Sequence, residues 1–136
     1  MIPDDPEIER LRWLAKDASM RAYAPYSHFP VGAAVLCDDG TSFAGCNVEN
    51  ASYGLTICAE RNAVFQAVAS GRRRIVAVAI YTATEAPSAP CGACRQVIAE
   101  FGSDAEVFSY TANGQRLRTS IRDLLPNAFG PDDLDG

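Results

Sequence analysis

The chain has 136 residues and a formal net charge of −5, with 48% hydrophobic and 21% charged residues, and its sequence pI is about 4.7. This length and composition are those of one ordinary globular domain. The acidic balance argues against binding to long nucleic acid, which needs a basic face, and no apolar stretch approaches the roughly 20 residues of a membrane span.

The first predicted helix runs from Pro6 to about Tyr23, because apolar residues recur there at helical spacing. Val31–Cys37 is a short apolar run bounded by turn signals, which predicts a buried strand. The residues Asp38-Asp39-Gly40 form a hairpin signal, and Ser42–Val48 is predicted as the returning strand.

A second helix is predicted from Thr56 or Ile57 to about Ser70, with Gly71 as its C-cap. Ile75–Ile80 is apolar on both faces, which favours a central strand covered by helices on both sides. A third helix is predicted from about Cys91 to Phe101.

The last predicted elements are a strand at Ala105–Tyr110, a turn at Asn113-Gly114, a short strand near Leu117 and a helical turn at Ile121–Leu125. This element order predicts an α/β fold, a three-layer α/β/α sandwich on a mixed, mostly five-stranded sheet. We expect a single domain over residues 1–136, with flexible tails at residues 1–5 and 131–136.

The strongest chemical signal is a split set of cysteines. Cys58 lies two residues before Glu60, and Cys91 and Cys94 follow in the run Pro-Cys-Gly-Ala-Cys. Three thiolates can fill three corners of a zinc tetrahedron and leave the fourth for water, which is the design of a catalytic zinc site. A carboxylate beside the open corner can then move the protons of that water.

Both cysteine groups lie at the start of predicted helices, where free N–H groups and the helix dipole favour a thiolate. Zinc with three thiolates carries a formal charge of −1, which weakens it as a Lewis acid. We therefore expect Arg61 or Arg95, each close to the site in sequence, to donate to the sulfurs.

Two other interpretations of the cysteines must be weighed. A Cys-x-x-Cys pair also fits a redox motif, but that leaves Cys58 and Glu60 unexplained. A structural zinc site needs a fourth protein ligand, and the single histidine, His28, has no partner at ligand spacing. The two spare thiols, Cys37 and Cys46, lie in predicted strands, where free cysteine usually packs as a small apolar residue.

Taken together, these motifs resemble the small homotetrameric, zinc-dependent cytidine deaminases. Zinc deaminases in general combine three His/Cys ligands, a glutamate that is not a ligand and a Pro-Cys-x-x-Cys run. The resemblance extends from about Tyr23 to Phe129 and includes Pro25–Ala34, Gly45–Leu55 and Leu124–Phe129.

The resemblance implies roles for the residues of the metal site. Cys58, Cys91 and Cys94 would bind one zinc ion per subunit, and Glu60 would shuttle protons. Arg61 matches an arginine that hydrogen-bonds the sulfurs of zinc ligands in all-cysteine members of the family.

The resemblance also implies a nucleoside site. Asn47 and Glu49 match a pair that holds the ribose hydroxyls, Phe29 matches a residue that packs on the pyrimidine, and the backbone near Ala59 would bind the edge of the base. Without the metal motif, Glu49 would be interpreted as a solvated loop carboxylate and Phe29 as a core residue. Three further positions match residues that complete the site of a neighbouring subunit: Ala51, Tyr53 and Phe129.

The expected activity is hydrolytic deamination of cytidine and deoxycytidine to uridine and deoxyuridine in pyrimidine salvage, in a cytoplasmic homotetramer. Glu60 would carry protons from water to the ring N3 and to the departing amine. Rival interpretations are a deaminase of nucleoside antibiotics, a deaminase of free bases or nucleotides, a polynucleotide editor, and a non-catalytic zinc-binding module.

Overall fold

The computed structural model describes residues 3–134. Within that range, four α-helices and five strands follow one another, with single 3₁₀ turns at Tyr53–Leu55 and Pro131–Asp133. The helices and strands are, in chain order, α1 (Asp5–Ser19), β1 (Val31–Cys37), β2 (Ser42–Cys46), α2 (Ala59–Ala69), β3 (Ile75–Thr82), α3 (Gly92–Phe101), β4 (Glu106–Thr111), β5 (Arg116–Ser120) and α4 (Ile121–Leu124).

The five strands form one mixed sheet in the order β2-β1-β3-β4-β5. Strands β3 and β4 are parallel, and every other neighbouring pair is antiparallel. The predicted apolar strand, β3, occupies the centre of the sheet and is almost entirely buried. A strand in that position is covered on both faces, which explains its continuous apolar sequence.

Helices cover both faces of the sheet, as the predicted three-layer sandwich requires. Helix α1 packs on one face through a cluster that includes Leu11, Leu36 and Phe108. Helices α2, α3 and α4 pack on the other face, around a second cluster that includes Val64 and Ile98.

Two glycines let helices approach the sheet closely. A Cβ atom built on Gly32 of β1 would lie 1.8 Å from the backbone oxygen of Ala15 in α1. A Cβ atom on Gly45 of β2 would lie 2.5 Å from the backbone nitrogen of Ala63 in α2. Both distances are far inside van der Waals contact, so these glycines set how deeply α1 and α2 sit on the sheet.

Helix α1 ends earlier than the sequence pattern predicts, at Ser19 rather than near Tyr23. The backbone of Tyr23 is engaged elsewhere, since its N–H donates to Asn47 (3.0 Å) and its carbonyl accepts from Glu49 (2.9 Å). Residues joined to a neighbouring segment in this way cannot continue a helical hydrogen-bond ladder.

The helix also begins earlier than predicted. Asp4 is its N-cap, in a capping box with Glu7, and Asp5 is its first residue. Asp4 and Asp5, which the sequence analysis assigned to the N-terminal tail, thus form the cap and first residue of α1, and the capping box satisfies free N–H groups of the first turn. Residues 1, 2, 135 and 136 of the predicted tails lie outside the described part of the chain.

Helix α2 begins at Ala59 rather than at Thr56 or Ile57. Ile57 instead exchanges two backbone hydrogen bonds with Val48, each of 3.0 Å. This isolated bridge lies beyond the end of β2, so the predicted strand Ser42–Val48 is interrupted after Cys46. The turns at Gly40 and Gly114 are confirmed, and both glycines have positive φ.

Among residues 3–134, no helix combines the length and apolar character that a bilayer span requires.

Candidate metal and nucleoside site

Two helix N-termini bring the three thiols together. Cys58 is the N-cap of α2 and Cys91 is the N-cap of α3, and neither side chain caps its own helix. Cys94 lies one turn into α3 and is fully buried. The cluster thus lies where the N-termini of α2 and α3 meet, at the positive ends of the two helix dipoles.

The spacing of the sulfurs suits a tetrahedral metal. The three Sγ atoms lie within 4.8 Å of one another, and the Sγ atoms of Cys58 and Cys91 are 3.8 Å apart. Zn–S bonds of about 2.3 Å at the tetrahedral angle require sulfurs about 3.8 Å apart. The cluster therefore fits one zinc ion held by three thiolates, and among residues 3–134 no fourth ligand joins it.

The thiols are not equivalent. Hydrogen bonding to Cys94, with a further contribution from Arg61, lowers the pKa of Cys58 to about 5. The same contact with Cys58 raises the pKa of Cys94, and burial adds to that effect. Of these two coupled thiols, Cys58 is therefore the one whose ionised form is favoured, and it accepts a hydrogen bond from Arg61.

Arg61 is the arginine that reaches the sulfurs. Its Nη2 donates to Cys58 Sγ at 3.5 Å. Arg95 points elsewhere, with its Nε donating to the Pro90 carbonyl (2.7 Å) and its Nη1 to the Leu124 carbonyl (2.9 Å). Of the two arginines that the sequence offered, Arg61 is placed to offset thiolate charge and Arg95 supports the loop before Cys91.

Glu60 lies in the first turn of α2, beside the thiol cluster, and its side chain is only 5% exposed. Burial raises the pKa of this carboxyl to about 7, and the neighbouring charge of Cys58 adds to the shift. A buried carboxyl with its pKa near neutrality can both take up and release a proton under ordinary conditions. Ala59, the preceding residue, is fully buried.

Asn47 and Glu49 both make hydrogen bonds to the loop of residues 26–31. The Asn47 amide accepts from the Val31 N–H (2.9 Å) and donates to the Phe29 carbonyl (2.8 Å). Glu49 accepts from the backbone N–H groups of Tyr26 (3.0 Å) and Ser27 (3.1 Å).

The backbone links this polar pair to the thiol cluster. Val48 lies between Asn47 and Glu49, and its bridge to Ile57 places them beside the residue that precedes Cys58. The structure therefore joins two motifs that the sequence analysis treated separately. The sequence signal that could have predicted this link is proximity, because only Thr56 and Ile57 separate the Gly45–Leu55 segment from Cys58.

The remaining candidate residues are exposed in this single chain. Phe29, Tyr53 and Phe129 are 40%, 75% and 58% exposed, and Ala51 is also exposed. Tyr53 makes an edge contact with Tyr26, the ring centroids being 6.0 Å apart. The Phe129 carbonyl accepts from Gln96 of α3 (2.8 Å), a contact that sequence reasoning did not anticipate.

His28 and Cys37 lie outside the thiol cluster. His28 is exposed in a left-handed conformation, with φ of 57°. Cys37 is buried in the apolar core, and burial raises its pKa. Neither residue belongs to the thiol cluster, and the packing role predicted for Cys37 is confirmed.

Comparison with known proteins identifies similar sequences and structures. The family described as the cytidine and deoxycytidylate deaminase zinc-binding region matches residues 6–110. The cytidine deaminase of Sporosarcina psychrophila is 49% identical over 129 residues, which cover 94% of this chain and 95% of that protein.

Solved structures show the same fold. A crystal structure of cytidine deaminase from Burkholderia pseudomallei has a TM-score of 0.86 and 52% identity, covering 89% of this chain and 98% of that one. The structure from Mycobacterium tuberculosis has a TM-score of 0.79 and 42% identity, covering 94% and 99% of the two chains.

Proposed function

The chain belongs to the family of zinc-binding cytidine and deoxycytidylate deaminases, and on that premise we propose that it deaminates cytidine and deoxycytidine by hydrolysis. The products are uridine or deoxyuridine and ammonia, which places the enzyme in pyrimidine salvage. The observation that carries the proposal is the three-thiol cluster with the buried Glu60 carboxyl close to two of its members, Cys58 and Cys94.

Cys58, Cys91 and Cys94 would hold one zinc ion per chain, in agreement with the zinc-binding region of the family. When bound, zinc acts as a Lewis acid that lowers the pKa of a coordinated water towards about 7. Arg61 donates to Cys58 Sγ and so reduces the negative charge that the thiolates place on the metal.

Glu60 moves the protons of the reaction. It accepts a proton from the attacking water and delivers it to N3 of the pyrimidine, while the water oxygen adds to C4. It then passes the second proton to the amino group, which leaves C4 as ammonia. One carboxyl serves both transfers because its surroundings hold its pKa near neutrality.

The nucleoside is held by the segment around Asn47 and Glu49. A carboxylate accepts hydrogen bonds and an amide can both donate and accept, so this pair suits the hydroxyls of ribose. Phe29 would pack on the pyrimidine, and the backbone at Ala59 would bind the edge of the base. This assignment favours a nucleoside over the free base, which has no hydroxyls to bind.

We also propose that the active enzyme is a homotetramer whose sites are shared between subunits. The exposure of Phe29, Tyr53 and Phe129 in the single chain supports this assembly, because a neighbouring subunit would remove these aromatic side chains from water. Ala51, Tyr53 and Phe129 would complete the site of a neighbouring subunit. A fully active species that sediments as a monomer at assay concentration would contradict this assembly.

We further infer a cytoplasmic location. All three candidate zinc ligands are free thiols, as are Cys37 and Cys46. A reducing compartment keeps such thiols available for metal binding, whereas an oxidising one favours disulfides.

A substrate panel tests the function directly. The zinc-loaded protein is incubated with cytidine, deoxycytidine, cytosine and deoxycytidine monophosphate, and ammonia release is followed together with the loss of cytosine absorbance. We expect turnover of the two nucleosides. Release of ammonia from cytosine or the nucleotide alone would overturn the substrate assignment, and inactivity on all four would overturn the proposal of a cytidine deaminase.

A further inference from the structure

Ser27 lies at the centre of the hydrogen bonds that hold Glu49. Its hydroxyl donates to Glu49 Oε2, and its backbone N–H donates to Oε1 at 3.1 Å. The Tyr26 N–H also donates to Oε1, at 3.0 Å. The Ser27 hydroxyl oxygen in turn accepts from the Phe29 N–H at 3.0 Å. One side chain thus links the carboxylate of the ribose pair to the backbone of the aromatic residue.

The contacts leave Glu49 a single free position. An ionised carboxylate offers about four acceptor positions, and three are used by Tyr26 and Ser27. The two N–H bonds go to Oε1, so the free position lies on Oε2, the oxygen that Ser27 holds. The hydrogen bond from the Ser27 hydroxyl also lowers the pKa of Glu49, which keeps the carboxylate ionised and ready to accept.

We propose that Ser27 is a positioning residue, which fixes the Glu49 carboxylate so that its free acceptor position meets one hydroxyl of the nucleoside sugar. This inference rests on the proposed function, because it assigns the sugar of a nucleoside to Glu49. The contacts of Ser27 are to Glu49 and to the Phe29 backbone, so its proposed effect on the sugar is exerted through Glu49. If the Ser27 hydroxyl is removed, the Glu49 carboxylate keeps the two backbone donors on Oε1 but loses the contact that orients Oε2.

The test is a double-mutant cycle on cytidine with Ser27→Ala and Glu49→Gln. We expect Ser27→Ala to raise KM about tenfold, the cost of one hydrogen bond to a charged group. The kcat value should change little, as is typical when binding shared by the ground and transition states is lost. We expect the double variant to be no worse than Glu49→Gln alone, because the proposed effect of Ser27 on sugar binding runs through that carboxylate.

Two further variants separate positioning from loop stability. Ser27→Thr keeps the hydroxyl and should restore KM to near the wild-type value. Thr41→Val is the matched control, since Thr41 also donates its hydroxyl to a carboxylate in an exposed loop, at 2.6 Å to Asp39. It should leave KM and kcat unchanged. Zinc content and melting temperature are measured for every variant.

The outcomes distinguish this inference from the proposed function. Inactivity of the wild-type enzyme on cytidine would overturn the function itself. With an active wild-type enzyme, additive losses in the double variant would overturn the role of Ser27, as would an unchanged KM in Ser27→Ala. A fall in kcat together with zinc loss in Ser27→Ala would show a structural role instead.

Discussion

Replacing Glu60 by glutamine removes proton transfer from the site while preserving the shape of the side chain. The position is only 5% exposed and lies in the first turn of α2, so an isosteric side chain is needed to avoid a cavity. An amide cannot accept and release the protons that the reaction requires. The perturbation therefore isolates the chemical role of the carboxyl.

None of the groups that contribute most to the pKa shift of Glu60 is a second carboxyl. The groups that influence Glu60 are Cys58, Cys94 and Arg61, and the two thiols are the proposed metal ligands. Arg61 remains protonated at any ordinary pH. Loss of a general acid/base costs about 10²- to 10⁴-fold in rate, or roughly 2.7 to 5.4 kcal/mol of transition-state stabilisation. We expect kcat of Glu60→Gln to fall within or beyond that range.

The assay is the loss of cytidine absorbance at saturating substrate, with zinc measured on the same preparation. Zinc content should stay near one equivalent, since Glu60 is not a proposed ligand. Glu85→Gln is the matched control, because Glu85 is exposed in the loop after β3, and it should retain wild-type turnover. A Glu60→Gln variant that holds zinc and turns over within tenfold of wild type would refute the assigned role.

Cys91→Ala should reduce bound zinc well below one equivalent and abolish activity. The control, Cys46→Ala, removes a thiol outside the cluster and should keep both zinc and activity. Zinc is measured by elemental analysis, and full zinc occupancy in Cys91→Ala would contradict the ligand set. Arg61→Gln should lower zinc affinity or kcat by about 10- to 100-fold. Wild-type values of both would show that the charge of the Cys58 thiolate does not need to be offset by Arg61. Gly32→Ala should lower the free energy of unfolding by about 3 kcal/mol in urea titration, because its Cβ would overlap α1. Gly54→Ala, whose Cβ meets nothing within 4 Å, is the control, and equal stability of the two variants would refute the packing argument.

Helix α1 shows why local patterns predict elements better than their ends. Its apolar spacing indicated the helix and its buried face, including Leu11 and Ala15. Its end depended on Tyr23, whose backbone pairs with Asn47 and Glu49 more than twenty residues away. A local pattern cannot reveal that a segment distant in sequence will compete for the backbone hydrogen bonds at the end of the helix, because that segment comes close only in the folded chain.

The sequence by itself determined the chemistry available to this protein. Three thiols and a glutamate at predicted helix starts indicated a metal site with an open position, because helix N-termini and ligand spacing are local properties. The tertiary structure decided which groups act on one another. It directed Arg61 rather than Arg95 to the sulfurs, and it joined Glu49 to Ser27 across the loop. Long side chains have many possible partners in sequence, and only the packing of helices and strands selects among them.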